Sequence, residues 1–150
     1  MQIILDVAVA IYYIVAQLDN MNIFGNSMQE NKIIKELEKS IGHLLPVPGL
    51  EVFFEHERSR RWDLFIKADY QGLCFDIIVE VVSLNSLPAF TNKIKLLKSS
   101  VQGEHTVPVL AAPYLSPDRQ ALCREAGVYF MDLSGNVFIA HGSFYVERIG

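Results

Sequence analysis

The stretch from Arg61 to Val82, RWDLFIKADYQGLCFDIIVEVV, reads as two β-strands joined by a tight turn at Gln71-Gly72. Arg61–Tyr70 and Leu73–Val82 are rich in the β-branched and aromatic residues that suit a pleated surface. Side chains alternate along a strand, so Phe75, Ile77, Val79 and Val81 form one apolar face. Asp76, Ile78, Glu80 and Val82 form the other, a mixed face able to carry chemistry. On the preceding strand Asp63 shares parity with Phe65, Lys67 and Asp69. An ionised carboxylate removed from water is costly unless a cation or a donor meets it. Asp63, Asp76 and Glu80 therefore either face solvent or an arginine at 58, 60 or 61, or converge on a metal, a donor or a phosphate.

Upstream of the hairpin, Ile33, Leu37, Ile41 and Leu44 recur at helical spacing. Ser27 and Glu30 have the spacing of a capping box, which predicts a helix starting at Met28. Gly42 and the Pro46–Gly49 segment stop that helix, and Leu50–Glu57 reads as a first strand. Downstream, Phe90, Ile94, Leu97 and Val101 predict a helix over Ala89–Val101. The continuous apolar run Val107–Ala112 predicts a strand buried on both faces. Ser116-Pro117 opens a further helix that Gly127 closes. Short strands at Val128–Met131, Asn136–Ala140 and Ser143–Ile149 complete the order. Strands alternating with helices imply an α/β domain with a mixed sheet flanked by helices.

The first 27 residues read differently. Ile3–Leu18 is an apolar run broken by Asp6, shorter than the roughly 20 residues a membrane span needs. It is expected to be a hydrophobic helix that packs on this domain or on a second copy of the chain, making a homo-oligomer. Residues 28–150 are expected to form the domain proper, with Met28 as an alternative start and further chain expected beyond Gly150.

A net charge of −4 argues against a broad electrostatic footprint for nucleic acid. A local basic groove from Lys93, Lys95 and Lys98 with Arg60 and Arg61 is still compatible with it. The two cysteines, Cys74 and Cys123, have no Cys or His at zinc-ligand spacing and fit a reducing cytoplasm.

The order of helix, three strands, helix and strand, with Asp63 and then Glu80 in IVEVV (78–82), resembles the PD-(D/E)XK nuclease-like superfamily. That resemblance implies a restriction-endonuclease-like αβββαβ core, here with a C-terminal helix and short strands added. It implies that Asp63 and Glu80 bind a divalent cation, usually Mg²⁺, beside a lysine two residues after the second acid. Val82 stands in that position, so the lysine is expected from elsewhere (Lys93 first, otherwise Lys95 or Lys67), with Glu36 as a further metal ligand. The segments APYLSP (112–117), LCREAG (122–127) and FMDLSGN (130–136) are similar to a bacterial family of nuclease-like regulators related to AbiEi-type antitoxins, which carry a winged helix downstream. The expectation that follows is a nuclease-like domain, with a weakened site, acting as a DNA-associated regulatory module. An active Mg²⁺-dependent endonuclease and a dimerisation module are the alternatives. Asp132 and Asn136 are read as turn-forming residues, or else as a loop that contacts a nucleic-acid backbone or a partner.

Overall fold

The central turn is built by two residues in the left-handed region, Gln71 at φ 53° and Gly72 at φ 88°. That pair of conformations matches the right-handed twist of the flanking strands. It fixes a register in which Leu64 faces Val79 and Tyr70 faces Leu73. A computed structural model describes residues 25–56, 61–83, 86–101 and 103–150. These comprise α1 (Gly25–Leu44), β1 (Leu50–Phe54), β2 (Leu64–Tyr70), β3 (Leu73–Val81), α2 (Leu87–Ser100), β4 (Thr106–Ala112), α3 (Pro117–Ala126), β5 (Tyr129–Asp132), β6 (Val137–His141) and β7 (Phe144–Arg148). The expected apolar helix before Met28, any oligomer it would make, and Arg58 and Arg60 lie outside the described residues. Among the described residues no helix is long and apolar enough to cross a membrane.

All seven strands form one sheet whose spatial order follows the chain from β1 to β7. β3, β4 and β5 are mutually parallel, and the remaining pairs are antiparallel. The parallel pairs need crossovers, and α2 and α3 supply them. Both helices pack on the same face, where Phe90, Ile94 and Leu97 of α2 and Cys123 of α3 meet Phe65, Ile78, Val82, Leu110 and Phe130. α1 covers the opposite face with Ile33, Leu37 and Ile41 against Ile66, Ile77, Val79 and Val109. The supposed mixed face of β3 is thus a second core for much of its length, with Ile78 and Val82 each 1% exposed.

The sheet is strongly curled. Phe144 on β7 comes within 5.4 Å, ring to ring, of both Tyr70 and Phe75. Arg148 donates from Nη1 to the His43 carbonyl at 2.9 Å, tying β7 to the end of α1.

Local signals placed α3 well. Ser116 Oγ accepts from the Arg119 N–H at 3.3 Å, and Gly127 terminates the helix at φ 73°. At α1 the local signal misled. The helix already includes Gly25, so it starts before the expected Met28, and it runs through Gly42 to Leu44. α2 begins two residues earlier than expected, capped by Ser86 with Pro88 in its first turn.

Candidate active site

Continuing the β2–β3 register one step beyond Leu64–Val79 sets Asp63 opposite Glu80. Residues directly opposite on neighbouring strands share a face. Asp63 is fixed there by its backbone neighbour, since its Oδ2 accepts from the Val81 N–H at 2.7 Å. The Glu80 side chain is only 7% exposed, because it stands on the β3 face that α2 covers. The Asp63 carboxyl lies within hydrogen-bonding reach of it.

Lys93 arrives from α2. Its Nζ donates to Glu80 Oε2 at 3.2 Å and lies 4.0 Å from Asp63 Oδ2. Three consecutive elements, β2 (with Asp63 just before it), β3 and α2, therefore bring one ammonium between two carboxyls. The position two residues after Glu80 could not hold that ammonium. Val82 points into the core beneath α2, where a lysine would be buried among Phe65, Ile78 and Phe90. Neither alternative lysine joins the cluster. Lys67 pairs with Glu55 at 3.7 Å, and Lys95 is exposed on α2.

A fourth group belongs to the cluster and was not expected. Glu30 on α1 is close enough to feel both Lys93 and Asp63. Its carboxyl is held above the usual range chiefly by burial, with Asp63 adding and Lys93 opposing. The expected helix acid, Glu36, is turned away: it pairs with Lys39 at 3.8 Å and its side chain is 40% exposed. Glu30 could not be singled out because its place in a seeming capping box supplied a local explanation for it.

The electrostatics are those of a crowded anionic site. Burial, then the neighbouring Asp63, push the Glu80 carboxyl up to about 7, and the Lys93 ammonium offsets only part of this. For Lys93 burial works against its charge, yet Glu80, Asp63 and Glu30 together outweigh it and raise its pKa. The linkage to stability follows in sign. With the folded pKa of Glu80 at about 7 and the unfolded value at 4.5, the folded chain holds more protons between those limits. Its stability contribution is therefore full below about pH 4.5 and is lost as pH rises towards 7. Glu80→Gln is expected to stabilise the chain by about 1–2 kcal/mol at pH 8, after allowing for the weakened Lys93 contact, with little effect near pH 4. Urea denaturation at the two pH values measures this.

The other expected site residues disperse. Lys93 and Lys95 stand about 160° apart around α2, and Lys98 stands about 140° from Lys93. Lys98 reaches instead towards the end of α3, with its Nζ 3.1 Å from the position a Cβ on Gly127 would take. The Arg61 guanidinium lies over the Trp62 ring, 5.5 Å from its centroid. Lys93, Lys95 and Lys98 therefore leave α2 by different faces.

The Asp132–Asn136 loop is structural. Asp132 is fully buried. Its Oδ1 accepts from Ser134 N, Ser134 Oγ and Asn136 N, and its Oδ2 from Leu115 N and Asn136 Nδ2. Burial still leaves its pKa raised, against those donors. Asn136 is 4% exposed, so neither side chain is presented to a nucleic-acid backbone.

A separate open cavity of about 400 Å³ lies towards the turn end of the hairpin, lined by Phe53, Lys67, Asp69, Cys74, Asp76 and His105. It is four residues along β3 from Glu80, roughly 13 Å at strand rise, and holds none of the clustered groups. Among the described residues no three His, Cys, Asp or Glu side chains gather closely enough to hold a metal ion. Comparison with protein-family models, curated proteins and solved structures finds no match to this chain.

Proposed function

We propose that this chain carries a PD-(D/E)XK-like nuclease domain whose lysine has moved from the strand to the following helix. The observation that carries the reading is the convergence of Asp63, just before β2, Glu80 of β3 and Lys93 of α2, with Lys93 Nζ 3.2 Å from Glu80 and 4.0 Å from Asp63. The connection of α1, three antiparallel strands, α2 and a parallel β4 supports it, because this is the core order the resemblance implies.

Mg²⁺ is the cofactor the reading implies, and the carboxylate oxygens of Asp63 and Glu80 are donors of the kind a hard cation takes. Such a cation, when bound, lowers the pKa of a water and stabilises charge on a phosphoryl oxygen. The chain's own groups have distinct tasks. The Val81 N–H holds Asp63 in one orientation. Glu80 supplies a carboxylate in a water-poor setting, and Lys93 supplies a donor to a phosphate oxygen or an attacking water. The substrate class is a nucleic-acid phosphodiester.

A second reading, binding and regulation without cleavage, is favoured by the position of Lys93. Its ammonium lies between the carboxylates, where a bridging cation would otherwise sit. Incubation of supercoiled plasmid with the chain and Mg²⁺ or Mn²⁺ separates the two. Nicking that falls about a hundredfold or more in Asp63→Asn supports the nuclease. Salt-sensitive DNA binding without nicking moves the conclusion to the regulatory reading. Nicking that persists undiminished in Asp63→Asn, or neither binding nor cleavage, overturns the assignment.

A further inference from the structure

β5 spans only Tyr129–Asp132, and it pairs with β4 over Val109–Ala112 and with β6 over Val137 and Phe138. The first residues of β4 and the last of β6 therefore run on beyond the end of β5, with a gap between them. His105 immediately precedes β4 and His141 ends β6. Across this gap His105 Nδ1 stands 3.1 Å from His141 Nε2, with the rings 78° apart. The His105 backbone is held by its carbonyl, which accepts from the Asp76 N–H at 2.7 Å, and the His141 ring packs at 5.1 Å on Phe75. His105 is exposed and His141 is half-buried, so the gap opens to solvent.

We propose that His105 and His141 form a two-imidazole site for a late first-row divalent cation (Zn²⁺, Ni²⁺ or Cu²⁺), with water completing the coordination. Imidazole nitrogens bound at about 2.05 Å stand about 3.3 Å apart around a tetrahedral cation and about 2.9 Å apart when cis in an octahedral one. The observed 3.1 Å falls between these values, and the nitrogens already face one another. When no cation is present, a hydrogen bond between the two ring nitrogens joins the same pair. Imidazole selects these metals over Mg²⁺, so this site and the carboxylate cluster take different ions and neither depends on the other. Bound metal would cross-link β4 to β6 where β5 provides no hydrogen bonds.

The test is calorimetric titration of the full chain with Ni²⁺ and with Zn²⁺, in a Cys74→Ser background that removes the exposed thiol. One saturable site is expected, weakened at least about tenfold in His105→Ala and in His141→Ala. It should be insensitive to excess Mg²⁺. Ring ¹H–¹⁵N spectra of the chain with all four histidines give a readout that needs no variant. On adding Zn²⁺ the His105 and His141 signals should move while those of His43 and His56 stay. Equal binding by wild type and both variants, or His105 and His141 signals that do not respond to metal, overturns the proposal.

Discussion

Asp132→Ala is expected to cost about 3–5 kcal/mol and to leave most of the chain unfolded at 37 °C. The side chain is fully buried and accepts five hydrogen bonds from Leu115, Ser134 and Asn136. Truncation removes every one of those acceptors at once, and each buried donor left without a partner carries its own desolvation penalty. Asp132→Asn is expected to be nearly as damaging. Its one oxygen can serve only one side of the network, and its amide would present hydrogens to groups that are themselves donors. Chemical denaturation of the two variants beside wild type measures the cost. A loss below about 1 kcal/mol in both would mean that the loop rearranges around the missing carboxylate.

Lys93→Met is expected to have the second-largest effect, and one that separates chemistry from folding. The methionine keeps most of the apolar stem but removes the ammonium that offsets the charges of Glu80, Asp63 and Glu30. Glu80 would then hold its proton to still higher pH, so the stability cost should be small at pH 5 and grow to about 2–3 kcal/mol at pH 8. If the cluster is a nuclease site, cleavage should fall about a hundredfold or more even where the variant is fully folded. Lys95→Met and Lys98→Met serve as controls, since both side chains leave the cluster by other faces of α2. Equal loss in all three variants would point to general phosphate attraction in place of a role for Lys93 at the cluster.

Much of the fold was readable because local chemistry and tertiary structure agreed. The β2–β3 hairpin follows from its alternation and its Gln71-Gly72 turn, and α3 from Ser116, Pro117 and Gly127. The start of α1 was misread because Ser27 and Glu30 satisfy a local rule that the longer helix overrides. The mixed face of β3 was read only as able to carry chemistry, since alternation identifies two faces but not what covers them. Both crossover helices fell on that one, which encloses Glu80. The candidate site was legible in part for the same reason. Asp63 and Glu80 are linked by hairpin register, a local property. Lys93 reaches them only through the packing of α2, and Glu30 only through the placement of α1 around the sheet. The three lysines of α2 looked like one patch in one dimension, and the helical turn separates them.

The sheet's neighbour order, identical to its order along the chain, bears on how the molecule is made. Each strand finds its partner in the one before it, so a chain emerging from the ribosome can zip up from its N-terminal side without waiting for distant segments. The final hairpin is the exception. Phe144 and Arg148 reach back to Tyr70, Phe75 and the end of α1, so this latch closes after synthesis has passed it. Nascent chains stopped before Phe144 should therefore hold an assembled but unlatched sheet, more open to proteases than the full-length product.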